Sequence, residues 1–409
     1  MRLVQVTQRP ASVQRQRKRH ARRWLGVVLV FFSLMLVQLL RPLPDAHISV
    51  SLPKLPKSSE VQLTWPSGGQ ASVAAEGYGV LALHGAQQPL ATASIAKVIT
   101  ALCVLEKHPL QGNEQGPTLT MSSRDVGLYE QQIEQNGSRL PVTEGQQLTE
   151  RQALEAIMIP SANNIADTLA VWAFGSQSAY ADYANAYLER NGLVHTRVGS
   201  DASGYDASTV STAEDLAKLG KLARKNSVLM SIAGQKSASL GESGTFKNYN
   251  TALGSHGING LKTGNNDQNP GALLFTADIP KDGTVLQLTG SVMGAASLTE
   301  AIEASETLVA STGANFETVP YAQPGQVVGV AHTAWGSSAQ VKTRGAVQLI
   351  RWKTAAMTEE HTLHATRATA AGSVGALAVH AGEVQASTSL EITTPATGPN
   401  LWWRLTRLR

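Results

Sequence analysis

The stretch Thr92-Ala93-Ser94-Ile95-Ala96-Lys97-Val98-Ile99-Thr100 puts a serine three residues ahead of a lysine. It opens a run with helical spacing, Ile95, Val98, Ile99, Leu102, Val104 and Leu105. Positions i and i+3 share one face of a helix, so the Ser94 hydroxyl and the Lys97 amine meet within one turn. A serine hydroxyl is a poor nucleophile at neutral pH and needs a base beside it. A lysine serves as that base only where burial or a neighbouring cation keeps it neutral, well below its free value of about 10.4. The helix start adds free N–H groups and partial positive charge, which suit a developing oxyanion. Ser-x-x-Lys alone arises often by chance, and a solvated helix lysine is its plain alternative. Its weight depends on partner motifs elsewhere in the chain.

Two stretches further along supply that weight. Pro160-Ser161-Ala162-Asn163-Asn164 reads as a Ser-x-Asn loop between two helical runs, and Gly260-Leu261-Lys262-Thr263-Gly264 places Lys-Thr-Gly at the end of a strand-like run. The three signatures in this order resemble those of the serine D-alanyl-D-alanine carboxypeptidases, the low-molecular-weight penicillin-binding proteins of peptidase family S11. The match is good over about residues 75–312 and looser over 315–395. It also takes in Gly137 to Gly145 and Ser211-Thr212-Ala213-Glu214-Asp215-Leu216. The resemblance implies an α+β fold of the β-lactamase/transpeptidase type, an antiparallel sheet flanked by helices with a helical region, followed by a small C-terminal β-sandwich.

Acyl transfer to serine assigns the roles. Ser94 is the expected nucleophile and Lys97 its base. Ser161 relays a proton between Lys97 or Lys262 and the leaving amine, because a hydroxyl donates and accepts at once. Asn163 holds the peptide oxygen of the substrate and contacts Lys97. Lys262 keeps the pocket positive and attracts a terminal carboxylate, to which Thr263 donates. Gly264 lets the strand approach the substrate without a side-chain clash. The resemblance implies an oxyanion hole made by the N–H groups of Ser94 and Asn265. The expected activity is removal of the terminal D-Ala from peptidoglycan stem peptides through an acyl-enzyme, with β-lactams as inhibitors. Serine acyl transfer calls for no cofactor and no metal. His361 and His364 point to opposite faces of an alternating strand and are not read as ligands.

The rest of the chain places this chemistry. The formal charge is +4, but residues 1–23 hold eight Lys or Arg and no acid, so the body is slightly acidic and is not read as a nucleic-acid binder. The single Cys103 excludes an internal disulfide and reads as a small buried apolar residue. Trp24 to Leu40 are apolar apart from Ser33 and Gln38 and follow a basic block. That pattern puts the N-terminus in the cytoplasm and the body outside. An uncleaved signal anchor is favoured over a cleavable signal peptide, because Arg41 to His47 contains no Ala-x-Ala. The resulting expectation is a single-pass protein of the cell membrane. It comprises a basic tail (1–23), an anchor (24–40), a Pro/Ser/Lys-rich linker (41–60), a catalytic domain (61–313), a β-rich domain (314–395) and a Trp/Arg tail (396–409). The tail is either frayed or a short interfacial membrane contact.

Capping patterns at Thr149-x-x-Gln152, Ser211-x-x-Glu214 and Ser297-x-x-Glu300 predict three helix starts. Ala272 to Ala277 and Val285 to Val292 read as central strands. Gln326 to Val330, Ala339 to Thr343, Val347 to Trp352, Thr362 to Thr366, Val374 to Val379 and Val384 to Ile392 read as sandwich strands. Two departures from the family pattern stand out. Asn265 replaces the aromatic or His common after Lys-Thr-Gly, and Ala295 to Ala301 holds no basic residue where relatives often place an Arg. The second departure leaves room for a D,D-endopeptidase. A β-lactamase is disfavoured, since no Glu-x-x-Leu-Asn lies between Ser161 and Lys262. A non-catalytic wall-peptide-binding module is the remote alternative, and the intact motif trio argues against it.

Overall fold

The computed structural model describes residues 11–407. Expectations for residues 1–10 of the basic tail and for Leu408 and Arg409 lie outside them. Helix α1 (Ala11–Leu40) carries the apolar run back through the basic block. Its 23-residue segment Lys18–Leu40 is long and apolar enough to cross a membrane, spanning roughly 35 Å at ~1.5 Å per residue. Trp24, Phe31, Phe32 and Leu36 are all more than half exposed, so the described residues leave this apolar surface uncovered.

The span expected to be a linker is built into the C-terminal part of the molecule. Strand β1 (His47–Val50) pairs antiparallel with residues 327–332, Ser49 opposite Val330. Leu52 and Leu55 pack on the same core, and Arg351 donates to the carbonyls of Pro56 (3.3 Å) and Lys57 (2.7 Å). A four-residue edge strand followed by extended chain has no periodicity to read, so composition alone made it a linker.

The hairpin β2 (Gln70–Ala75) and β3 (Gly79–His84) is followed by β4 (Leu90–Ala91), a 3₁₀ turn over Ala93–Ile95 and α2 (Ala96–Lys107). A helical region comes next: β5 (Thr118–Thr120), α3 (Ser123–Glu134), β6 (Gln147–Thr149), α4 (Glu150–Met158), α5 (Asn163–Phe174) and α6 (Gln177–Arg190). The chain returns through β7 (Val210–Ser211), α7 (Ala213–Arg224), α8 (Ser227–Ala233), β8 (Ser237–Ser239) and β9 (Thr245–Lys247). It then lays down β10 (Ile258–Asn266), β11 (Asn269–Lys281) and β12 (Thr284–Ala295), closed by α9 (Leu298–Ala314).

The main sheet is antiparallel, in the order β10-β11-β12-β2-β3. Alternation along β11 divides the interior. Leu274 faces the core of the helical region, with Val98, Leu154 and Leu216, whereas Leu273 and Phe275 face α9, with Ile302 and Leu308. Cys103 is fully buried in the first of these cores. Two caps stand where the pattern put them: Thr149 accepts from the Gln152 N–H at 3.2 Å, and Ser297 from the Glu300 N–H at 3.1 Å. The third shifts by one residue. Thr212 caps α7 by accepting from the Asp215 N–H, because Ser211 is taken by strand β7 and its hydroxyl meets Thr196 Oγ1 at 2.8 Å.

The C-terminal part comprises β13 (Phe316–Ala322), β14 (Val327–His332), β15 (Ser338–Thr343), β16 (Val347–Trp352), β17 (Met357–Leu363), β18 (Gly372–Ala381), β19 (Val384–Ile392) and α10 (Leu401–Thr406). A six-stranded sheet β1-β14-β15-β19-β18-β17 packs with the pair β13-β16 around Val328, Val341, Leu377 and Leu390. β17 begins five residues earlier than the pattern suggested. Its Thr-Glu-Glu-His face is exposed throughout, so the edge strand lacks alternation. Tyr78, on the turn between β2 and β3, donates to the Ile350 carbonyl at 2.5 Å and packs edge-on against Phe316, which joins the two parts.

Candidate active site

The 3₁₀ turn before α2 presents Ser94. Ala93 adopts a positive φ of 47°, a costly conformation for a non-glycine residue. It is held there by close packing: a Cβ on Gly204 would stand 2.1 Å from the Ala93 carbonyl oxygen. One turn on, Lys97 has no exposed surface. Its Nζ lies 2.8 Å from Ser94 Oγ, 2.7 Å from Asn163 Oδ1 and 2.9 Å from the Ser203 carbonyl oxygen. The last two atoms only accept. A neutral amine therefore spends both N–H groups on them and turns its lone pair to the Ser94 hydroxyl. Burial pushes Lys97 down to about 7, against the smaller opposing pull of Asp201 and Asp167. That shift is worth roughly 5 kcal/mol against the ammonium form.

Two residues outside the three motifs, neither of them singled out from the sequence, fix these acceptors. Asn163 must turn its oxygen to Lys97, so its Nδ2 needs an acceptor elsewhere, and it donates to Gln132 Oε1 at 2.7 Å. Gln132 is buried on α3 and donates in turn to Gln135 Oε1 at 3.1 Å. Asp201 gathers the N–H groups of Ser203 (2.9 Å), Gly204 (2.5 Å) and Asp206 (2.7 Å), which presents the Ser203 carbonyl to Lys97. The Asp-x-Ser-Gly turn was a readable signal for the second. Gln132, in the polar run Glu130-Gln131-Gln132, looks like any solvated helix face.

Ser161 and the Lys-Thr-Gly strand complete the site. Ser161 sits at φ 62°, and its buried Oγ has no hydrogen-bond partner among the described residues. The expected relay is therefore not wired in advance: no hydrogen bond joins Ser161 to Lys97 or Lys262 there. Leaving a buried hydroxyl unpaired costs about 1–3 kcal/mol, so an incoming group gains by pairing with it. Lys262 is buried and donates to the Thr263 carbonyl at 3.1 Å and to Thr263 Oγ1 at 3.4 Å. Burial first, and then the charge of Lys97, hold its pKa well below the lysine range. β10 is an edge strand and packs against the Ser94 turn. Gly264 permits this, because a Cβ there would stand 2.8 Å from the Thr92 carbonyl oxygen. A cleft of about 760 Å³ opens over Ser94, Asn163, Asn265 and Tyr205.

The family model for D-alanyl-D-alanine carboxypeptidases matches residues 71–297, more than half of the chain. This chain is a member of the D-alanyl-D-alanine carboxypeptidase family. The matched span of the carboxypeptidase runs from β2 to the cap of α9 and holds all three motifs. Solved structures share its fold. Penicillin binding protein 5 from Haemophilus influenzae is 18% identical with a TM-score of 0.57, covering 83% of this chain and 99% of its own. The D-alanyl-D-alanine carboxypeptidase DacD from Francisella tularensis is 15% identical with a TM-score of 0.56, covering 84% and 96%. A Streptomyces DD-transpeptidase is 22% identical with a TM-score of 0.52, covering 64% and 100%. No curated protein matches the sequence. The carboxypeptidase is thus a serine hydrolase that acts on D-alanyl-D-alanine ends.

Proposed function

We propose that this D,D-carboxypeptidase forms its acyl-enzyme on Ser94, with Lys97 as general base. The observation that carries this reading is the Lys97 amine, with two acceptors taking its N–H groups and its third direction filled by Ser94 Oγ. Neutral Lys97 takes the Ser94 proton as Oγ attacks the carbonyl carbon of the penultimate D-Ala. The N–H groups of Ser94 and Asn265 hold the oxyanion. The C–N bond then breaks, and the departing D-Ala nitrogen receives a proton through the free hydroxyl of Ser161. Water attacks the ester, gives its proton to Lys97 and restores Ser94. Lys262 and Thr263 face the terminal carboxylate, Asn163 the peptide oxygen, and Gly264 clears the approach.

Residues 61–313 form the catalytic domain in this reading, 314–395 the β-rich domain and 396–409 the tail. α1 is the membrane anchor. The basic residues before it favour a cytoplasmic N-terminus, with the catalytic domain on the outer face of the membrane. A D,D-endopeptidase is the second reading, favoured by the absence of any basic residue from Ala295 to Ala301, which leaves Lys262 to meet a carboxylate. D-Ala release from a synthetic pentapeptide, set against cleavage of a cross-linked dimer and nitrocefin turnover, separates these activities. Loss of fluorescent-penicillin labelling in Ser94→Ala tests the nucleophile. Retained labelling overturns it.

A further inference from the structure

We propose that the cleft over Ser94 selects substrates in which the residue before the D-Ala-D-Ala end carries a free side-chain ammonium, and discriminates against those whose amine is already in amide linkage. The proposal rests on the reading of Ser94 as the nucleophile and deepens it by naming what the acyl side accepts. The walls of the cleft, about 760 Å³, include Ser94, Asn163 and Asn265 but none of Ser161, Lys262 and Thr263. Those three serve the departing D-Ala, so the open space lies on the other side of the scissile bond. It is far larger than an alanyl methyl needs, and the preceding residue enters it as well.

The chemistry of the walls names that residue. Asp167, Asp201, Asp206 and Asp267 line the cleft, and among the described residues no Lys, Arg or His does. They come from three parts of the chain: α5, the loop before β7, and the turn between β10 and β11. None of the four has an ion-pair partner among the described residues. Asp201 is occupied by backbone N–H groups. Asp167 lies one turn past Asn163; its Oδ1 accepts the Ala202 N–H at 3.0 Å, and its Oδ2 has no hydrogen bond among the described residues. Burial pushes this carboxyl up to about 6, against the pull of the Ala202 N–H and with the charge of Asp201 adding to it. An enclosed carboxylate without a counter-charge is unfavourable, and a cation brought beside it relieves that. Asp206 and Asp267 are exposed at the mouth. The catalytic step gains nothing from this charge, since Asp201 and Asp167 raise Lys97 and so oppose its neutral form. Tyr205 adds an aromatic wall, 40% exposed. Its Oη donates to the Gln135 carbonyl at 3.0 Å and its N–H to Ser203 Oγ at 3.1 Å, which pins the ring between the Asp201 loop and the end of α3. A fixed ring beside carboxylates attracts an ammonium through its π-face as well. A neutral amide has neither attraction, and an anionic side chain is repelled.

The test uses the full chain in detergent and two peptides: Nα-acetyl-L-Lys-D-Ala-D-Ala with its ε-ammonium free, and the same peptide acetylated on Nε. D-Ala release gives kcat/KM for both on one preparation, so their ratio is independent of the fraction of active enzyme. At low ionic strength the ratio is expected to favour the free amine roughly five-fold or more. It is expected to fall by at least about half at about 1 M salt, where charges are screened beyond ~3 Å. Asp206→Asn/Asp267→Asn is expected to bring it below about two-fold, through KM rather than kcat, because the attraction acts on bound substrate and transition state alike. Asp267→Asn alone, at an exposed turn, keeps the comparison available if the pair does not fold, and is expected to lower the ratio about two-fold. Equal kcat/KM for the two peptides overturns the selectivity and leaves the hydrolysis standing. A preference for the free amine that is indifferent to both variants overturns its assignment to these carboxylates. Release from neither peptide is a different failure: it overturns the activity assigned to Ser94, and the proposal falls with it.

Discussion

In the proposed mechanism Lys97 is a base only because its charge is unwelcome where it stands. Burial dominates the shift to about 7, and the acidic neighbours Asp201 and Asp167 work against it. Below that value the ammonium has no lone pair for Ser94; above it the amine is free. The acylation rate constant of a β-lactam is therefore expected to rise with pH through an apparent pKa near 7 and to fall about ten-fold per unit on the acid side, as stopped-flow labelling would read. A flat profile from pH 5 to 9 would remove Lys97 from the role. Because the folded value is depressed below the free 10.5, folding expels a proton between pH 7 and 10.5, and this group's contribution to stability grows as pH rises through that window. Gln132 offers a second check. Gln132→Leu leaves Asn163 Nδ2 without its acceptor and is expected to slow acylation about ten-fold or more. Gln132→Glu keeps the acceptor but adds negative charge, and should move the acid limb upward. The cluster of Ser94, Lys97 and Asn163 was legible because the proposed function asks for their side-chain chemistry. Ser203 was not, since it contributes a carbonyl that any residue owns, and Gln132 was not, since its partner lies 31 positions away on another helix.

At the scale of elements, α4 carries an expense of its own. Glu150 follows the cap Thr149, has no exposed surface, and neither carboxylate oxygen has a partner among the described residues. Burial pushes it up to about 7 from an ordinary 4.5. The unfolded chain loses this proton near 4.5 while the folded one keeps it to about 7, so stability falls across that window and stays low above it. Glu150→Gln is expected to raise the melting temperature by about 3–8 °C at pH 8 and to change it little at pH 4, as scanning fluorimetry at the two pH values would read. Elements with a strong period or a capping pair, such as α4, α9, β11 and β12, were legible in advance. β1 and β13 were not: one is a four-residue edge, and the other carries Glu317 and Pro320 through a strand whose pairing is set entirely by β16.

Over the whole molecule, Arg351 is the rivet between the extended chain after β1 and the C-terminal strands. It is buried and holds Glu317 through Nε at 2.8 Å as well as the carbonyls of Pro56 and Lys57. Glu317 is 36% exposed and can turn to water when the guanidinium is gone, so the main loss is at the buried carbonyls, about 1–3 kcal/mol. Arg351→Met is expected to speed tryptic cleavage after Lys54 and Lys57 several-fold while acylation of Ser94 stays within two-fold. Unchanged proteolysis would mean that β1 alone holds the segment. The β1–β14 pairing has a wider effect. Ser49 and Val330 lie 281 positions apart, so the first strand to emerge past α1 waits for nearly the last part of the chain before it finds a neighbour. The hydrolase portion is thus an insertion joined to its support by the chain on both sides, through residues 51–69 and through Asn315, and a third time by Tyr78 against Phe316 and the Ile350 carbonyl. A body fastened at three separated places can neither swing nor tilt freely about its support. The mouth over Ser94 is held to one heading relative to the strands that carry it rather than left to sweep through many.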